Sequence, residues 1–302
     1  MKILVVGAKG QVGTEIVKIL TNGFFEVVGI SRRELDCKDL SRVRLILNAL
    51  TPDVIINAAA YTLVEHAEDE PSIAELVNVH FVSELTNYCQ KFSIPLIQLS
   101  TDYVFDGIKL GSYSEEDIPN PQTVYGRTKF AGEKVITNNL SKYIILRVSW
   151  VFGVHGTNFV KSILNLSLSR EELKVVHDQW GKPTSATDIA RVILLILEQI
   201  KVPSFEQWGV YHYAGNGVTN WYDFARIITD KAKEKTNIFK IARLLPIKSE
   251  EYIAKVNRPM NSVLNASKIE CLLGIECQSW VNYLPEVIDG FINKVTQNEI
   301  SN

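Results

Sequence analysis

Lys2-Ile3-Leu4-Val5-Val6, followed at once by Gly7-Ala8-Lys9-Gly10-Gln11-Val12-Gly13, is the stretch whose reading decides the fold. Its first part is a continuous apolar run of strand length, as expected for a strand buried on both faces. From Val12 to Leu20 apolar residues recur at helical spacing, so the glycines sit between strand and helix. At such a junction Gly7 permits a tight turn, Gly10 lets the backbone approach a pyrophosphate, and Gly13 lets the helix pack close to the sheet. Unpaired N–H groups and a partial positive charge at the helix N-terminus complete an anion-binding cradle.

The alternation continues outward. Phe25–Ile30 and Val54–Ala58 read as strands, Val43–Leu50 as a helix and Ile73–Phe92 as a long helix. Leu96–Leu99 and Tyr143–Ser149 read as strands flanking a helix over Gly126–Asn138. Strands apolar on both faces and separated by helices imply a covered parallel sheet, and right-handed crossovers make it doubly wound. The fold class is therefore α/β. After about Gly153 the pattern loosens. Phe159–Leu168, Thr187–Gln199 and Trp221–Lys235 have helix character, with Asn220 a cap for the last; Lys174–His177 and Val210–Ala214 resemble short strands. No low-complexity linker or internal repeat divides the chain. Residues 1–153 are expected to form a dinucleotide-binding domain, with returning elements from about 183–218. Residues 154–302 are expected to form mainly a smaller, interleaved substrate-binding lobe.

A chain of 302 residues, 46% hydrophobic and 22% charged, has ample material for one large or two joined cores. Its net charge of −2 gives no global reason to expect nucleic acid or an anionic membrane as partner, so an anionic ligand must be held locally. The N-terminal apolar run breaks at Gly7, too early for a signal-peptide core or a membrane span. Cys37, Cys89, Cys271 and Cys277 form no CxxC pair and the histidines lack ligand spacing. Reduced thiols, a cytoplasmic location and no metal site are the expectation. No serine sits in a Gly-x-Ser-x-Gly elbow, so His155, His177 and His212 give no nucleophile triad.

Tyr125 and Lys129 lie four residues apart, a spacing that puts both on one helix face. A tyrosine needs help to exchange protons near neutrality, and a nearby ammonium stabilises its anion and can also hold a ribose hydroxyl. Ser100 and Thr101 end a strand where doubly wound sheets bind ligands, and a hydroxyl there can polarise a carbonyl for hydride attack. Turn capping is the alternative for both. Asn57-Ala58-Ala59-Ala60-Tyr61-Thr62 ends the preceding strand with small residues that let the backbone pass close to a cofactor, or simply pack tightly. At the end of the second strand, Ser31, Arg32 and Arg33 stand where an acid would favour NAD. A hydroxyl and guanidinium groups suit a 2′-phosphate, which favours NADPH; a solvated loop is the alternative.

Together these motifs resemble one family, the dTDP-4-dehydrorhamnose reductases of the extended short-chain dehydrogenase/reductase superfamily. The resemblance runs almost end to end. It includes the Gly-x2-Gly-x2-Gly loop, NAAAYT from Asn57, STDYVFDG from Ser100 and VYGRTKFAGE from Val124. It continues through LRVSWVFG from Leu146, DQWGKPT from Asp178, GVYHYAG from Gly209 and RPMNS from Arg258. It implies a Rossmann-type sheet and reduction of the C4 carbonyl of dTDP-4-dehydro-6-deoxy-L-mannose to dTDP-L-rhamnose, a step toward cell-surface polysaccharide. By the resemblance Tyr125 protonates the reduced oxygen, Lys129 tunes it and binds ribose, and Thr101 polarises the carbonyl. Gly10, Gln11, Val12, Ala60, Thr62 and Tyr103 match cofactor contacts, with Asp36 and Cys37 near the adenine. A larger apolar residue is usual at the place of Cys37. Trp150 matches a substrate-contacting tryptophan, and Asp102 sits where the sugar is expected.

Arg258, before Pro259, is a candidate clamp for the substrate pyrophosphate, with a surface turn arginine the alternative. Trp221, Tyr222 and Phe224 read as core rather than as a stacking platform. NADPH is the expected cofactor, NADH a second candidate, a dTDP-linked 4-keto sugar the partner, and a homodimer is left open. Two rival readings remain. An epimerase or dehydratase of the same fold would return the hydride to tightly held NAD, yet no Asp-Glu pair follows Thr101. A regulatory subunit of methionine adenosyltransferase resembles the family too, but intact Tyr125, Lys129 and Thr101 argue for catalysis. A reductase making another 6-deoxyhexose would share every motif quoted.

Overall fold

The computed structural model describes residues 1–23, 25–240, 243–252 and 255–300. Strands β1 (Lys2–Val6), β2 (Glu26–Ile30), β3 (Val54–Asn57), β4 (Leu96–Thr101), β5 (Tyr143–Val148) and β6 (Gly209–His212) form one parallel sheet, in the order β6-β5-β4-β3-β1-β2. The principal helices are α1 (Gln11–Thr21), α2 (Leu40–Leu50), α3 (Phe81–Phe92), α4 (Val124–Asn139), α5 (Phe159–Ser167), α6 (Ala186–Ile200), α7 (Trp221–Lys235) and α8 (Leu284–Ile300). The winding reverses between β1 and β3, and such a switch point opens a crevice beyond the carboxyl ends of the strands.

Both faces of the sheet are covered, which is why its strands read as unbroken apolar runs. Ile3 and Val5 enter a core shared with Ile16 of α1 and with Ile189, Val192, Ile193 and Ile196 of α6. Leu4 and Val6 point the other way, toward Val43 and Leu47 of α2 and Val82 and Leu85 of α3. The apolar hexamer Val192–Leu197 is thus a buried stretch of α6, with Leu195 on its outer side.

One long helix is expected over 73–92, but the chain forms Pro71–Glu75, a π-helical turn Leu76–His80, and then α3. The widened turn carries Asn78, whose buried amide accepts from Tyr61 N at 2.9 Å. The same amide donates to the Tyr61 carbonyl at 3.2 Å and to the Thr128 hydroxyl at 3.0 Å. Helical periodicity cannot announce such a turn, because the apolar spacing on either side is unchanged.

A second core gathers Phe152, Val160, Leu164, Phe224, Ile228, Trp280, Leu284 and Ile288 from α5, α7, α8 and their connections. Short parallel strands Glu172–Val176 and Arg243–Ile247 pair beside it. The chain then returns to the sheet once more: Ile269, Leu273 and Ile275 join the first core, and Lys268 Nζ donates to the Val210 carbonyl at 2.9 Å. The helix involved, Ser267–Leu273, is too short to show periodicity in sequence. No helix among the described residues is long and apolar enough to cross a membrane.

Candidate active site

The loop from β1 to α1 is shaped by close approaches. Gly7 has φ +81°, and a Cβ there would meet Ala59 N at 2.7 Å; a Cβ on Gly13 would meet the Gly7 carbonyl oxygen at 2.1 Å. The loop therefore lies against the segment that follows β3, at the switch point. Helix α1 begins at Gly10 with no side-chain cap and no acid in its first turn. The N–H groups of Gln11, Val12 and Gly13 are left for an anion, a donor set that fits a dinucleotide pyrophosphate. The Gln11 side chain faces the lobe instead: its Nε2 donates to the Val151 carbonyl at 3.3 Å, and its Oε1 accepts from Asn158 Nδ2 at 2.6 Å. Asn158 also caps α5, accepting from Lys161 N at 3.1 Å. Read in sequence, Asn158 looks like no more than a helix cap.

Beyond β2, Ser31 is buried while Arg32 is exposed. The Ser31 N–H and hydroxyl both donate to the Glu34 carboxylate. Asp36 is half-buried and accepts from Lys38 N at 3.1 Å. Cys37 packs against the α2–α3 core, and burial pushes its thiol up to about 11. After β3, Ala60 is half-buried and Thr62 exposed.

At the centre of the crevice α4 meets the end of β4. Thr123 caps α4, accepting from Gly126 N at 3.0 Å, which puts Tyr125 in the first turn. A Cβ on Gly126 would meet the Tyr103 carbonyl oxygen at 2.2 Å, so the start of the helix rests directly on the residues after Thr101. Tyr125 is buried beside the Thr101 hydroxyl. Burial pushes its phenol up to about 12, against the opposing influence of Thr101. Thr101 Oγ1 donates to Asp102 Oδ1 at 3.0 Å and accepts from Tyr103 N at 3.2 Å. Burial raises the Asp102 carboxyl to about 6, although the Ser262 and Thr101 hydroxyls lower it. Its Oδ2 is buried without a partner in hydrogen-bonding geometry among the described residues.

Lys129 lies one turn further along α4, also buried, and donates to the Leu99 carbonyl at 2.7 Å. That carbonyl also accepts from Gln98 Nε2 at 2.8 Å, and Gln98 is held in turn by Asn57 Nδ2 at 2.8 Å. Burial pushes the ammonium down to about 8, with the Glu133 carboxylate opposing. Burial and the Asp102 carboxylate raise the Tyr125 phenol, and Thr101 lowers it.

Glu133 carries the link that sequence reading overlooked. Buried on α4, it accepts from Ser100 Oγ at 2.5 Å and from Arg147 at 3.0 Å (Nε) and 2.6 Å (Nη2). Arg147 Nη1 lies 3.3 Å from His212 Nε2, and His212 Nδ1 lies 3.1 Å from the Tyr113 carbonyl. Burial and Arg147 push His212 down to about 3. The ring is neutral, with Nε2 accepting from Arg147 and Nδ1 donating to Tyr113. An arginine inside an apolar strand was the available signal, since a buried cation demands a partner.

On the lobe side, Trp150 follows β5, whose Val148 pairs with Thr101. It sits at φ +49°, a conformation that costs a non-glycine residue about 1–3 kcal/mol. Trp150 stacks on Trp221 with ring centroids 3.5 Å apart, and a Cβ on Gly181 would meet its ring at 2.4 Å. Phe224 is core, as expected, but Trp221 is only partly buried and belongs to this stack. Arg258 donates to Glu65 at 3.1 Å. It lines a cavity of about 230 Å³ with Tyr103, Phe105, Gln122, Thr123 and Met260. No group of His, Cys, Asp or Glu among the described residues could hold a metal ion.

The family model described as the RmlD substrate binding domain matches residues 1–293. A dTDP-4-dehydrorhamnose reductase of Aggregatibacter actinomycetemcomitans is 41% identical over 287 residues, spanning 95% of this chain and 98% of that protein. The crystal structure of a dTDP-4-dehydrorhamnose reductase from Clostridium acetobutylicum matches with a TM-score of 0.88 and 36% identity, over 96% of this chain and 99% of that one. A second, from Bacillus anthracis and solved in complex with NADP, has a TM-score of 0.87 and 31% identity, over 95% and 98% of the two chains. Likeness of this depth along the whole length has one reading: the chain belongs to the dTDP-4-dehydrorhamnose reductase family.

Proposed function

We propose that this protein reduces the C4 carbonyl of dTDP-4-dehydro-6-deoxy-L-mannose with NADPH, giving dTDP-L-rhamnose. The observation that carries the reading is the burial of Tyr125 and Lys129, one turn apart on α4, against the end of β4 that bears Thr101. NADPH, when bound, supplies the hydride that adds to C4. The oxygen left by that addition is more basic than a phenolate, and Tyr125, kept protonated at neutral pH by burial, delivers its proton to it. The Thr101 hydroxyl, turning from Asp102 to the carbonyl, polarises the bond. Lys129, held at the end of β4, binds the nicotinamide ribose through its ammonium. Glu133 keeps that ammonium charged and ties α4 to Ser100, next to Thr101.

Gly7, Gly10, Gln11, Val12 and Gly13 hold the pyrophosphate through the main chain. Ser31 and Arg32 serve the 2′-phosphate, Asp36 and Cys37 the adenine side, and Ala60, Thr62 and Tyr103 line the path between. Asp102 and Trp150 contact the sugar, and Arg258 exchanges Glu65 for the substrate pyrophosphate. Residues 1–153 with the returning stretch from about 183–218 form the cofactor half, the rest mainly the sugar-binding lobe. Four unpaired cysteines accord with a cytoplasmic setting.

The test is an NADPH-consumption assay across dTDP- and UDP-linked 4-keto sugars, with product configuration determined by NMR. Net oxidation of NADPH with the dTDP-linked substrate and an L-rhamno product is expected. Stoichiometric retention of NAD without net consumption would sink the reading.

A further inference from the structure

The cofactor assignments above give no role to Glu34, three residues beyond Ser31. Glu34 is exposed, yet its carboxylate occupies the donors that suit a 2′-phosphate. It accepts the Ser31 N–H at 2.9 Å and the Ser31 hydroxyl. These bonds hold the carboxyl below its usual range, and the Lys9 ammonium of the glycine loop lowers it further. The turn that delivers it is short: Glu34 N and Leu35 N both donate to the Ser31 carbonyl, at 3.1 and 3.0 Å, and Arg33 N to Ser31 Oγ at 3.3 Å. The neighbouring Ile30 carbonyl accepts from Gly7 N and Ala8 N at 2.9 and 3.0 Å. The carboxylate therefore sits beside the glycine loop, on the adenosine side of the crevice. Arg32 and Arg33 are exposed, and neither guanidinium has a hydrogen bond or ion pair among the described residues.

We propose that Glu34 is the cofactor-selecting residue, standing in the place of the NADPH 2′-phosphate and receiving the adenosine ribose hydroxyls of NADH. The inference rests on reading the chain as a nicotinamide-dependent reductase. An ionised carboxylate only accepts hydrogen bonds, so it suits the free 2′- and 3′-hydroxyls of NADH. A 2′-phosphate also only accepts, and it is negatively charged. To reach Ser31 and Lys9 it must drive Glu34 into solvent, and Arg32 and Arg33 are the groups that favour that exchange. The protein therefore binds both dinucleotides, and Glu34 narrows the preference for NADPH that the arginines create. Because Glu34 lies on an exposed turn, it can swing out without disturbing the sheet.

Glu34→Gln keeps the shape and removes the charge. Titration of the full-length protein with NADPH and with NADH, followed by nicotinamide fluorescence, gives both Kd values without turnover. The NADPH Kd is expected to tighten about fivefold, the upper scale of an exposed charge pair. The NADH Kd is expected to weaken about twofold, so the ratio moves by roughly an order of magnitude, and the shift shrinks in high salt. Arg32→Ala moves the ratio the other way. An unchanged ratio in Glu34→Gln, with the wild-type protein binding tightly, overturns this inference and leaves the reductase reading standing. A wild-type protein that binds neither dinucleotide overturns both.

Discussion

The two ends of the cofactor crevice are built on opposite plans. At the reacting end Thr101, Tyr125, Lys129 and Glu133 are 5%, 9%, 6% and 2% exposed, and the last two are bonded to Leu99 of β4 and Arg147 of β5. At the adenosine end Arg32, Arg33 and Glu34 are exposed and held by a single turn after β2. Proton delivery needs a group whose position and protonation do not drift, and burial within a bonded network secures both. Choosing between two nucleotides needs only a local charge, which an exposed turn can supply and alter cheaply in evolution.

Tyr125→Phe tests the buried end most severely. It should lower kcat by about 10²–10⁴-fold while NADPH still binds, as read by fluorescence titration beside the activity assay. Turnover at the wild-type rate would remove the phenol from the mechanism and with it the contrast between the ends. Next in size is Glu133→Gln, which strands buried Arg147 and should cost about 3–5 kcal/mol of stability. Adding Arg147→Met to that variant should recover much of the loss in a denaturant melt. A single variant as stable as the wild type would show that the pair is dispensable.

The same network sharpens a pH prediction. Lys129 is pushed down to about 8, so its ammonium is present below that pH and lost above it. The profile of kcat/KM should therefore fall as pH rises through about 8. With the opposing carboxylate gone, the fall in Glu133→Gln should come at lower pH; an unmoved alkaline limb counts against Glu133 acting through Lys129. The smallest effect concerns Trp150. Both Trp150→Ala and Trp150→Gly lose the stack on Trp221, but glycine tolerates the positive φ, so the glycine variant should melt as the more stable by about 1 kcal/mol. Equal stability would mean that the backbone relaxes once the ring is gone.

Much of this was open to reading from the chain alone. The strands were legible because a parallel strand covered on both faces has no polar side to confuse the pattern. The glycine loop was legible because only glycine survives approaches as close as that of Gly13 to Gly7. Tyr125 and Lys129 were legible because four residues make one helical turn. Glu34 was not: its reach back to Ser31 depends on a turn that composition does not encode. Asn78 and Asn158 were hidden for a similar reason, since each bonds to segments far from it in sequence.

By itself, then, the sequence determined the doubly wound sheet, the glycine loop between strand and helix, and the placing of Tyr125 and Lys129 on one helix face. These rest on local spacing and on what a single residue type can tolerate. Only the tertiary structure decided that burial raises the Tyr125 phenol, that Glu133 and Arg147 brace Ser100, and that the Glu34 carboxylate takes the Ser31 donors. Those are properties of distance and solvent exclusion between segments, and no run of neighbouring residues contains them.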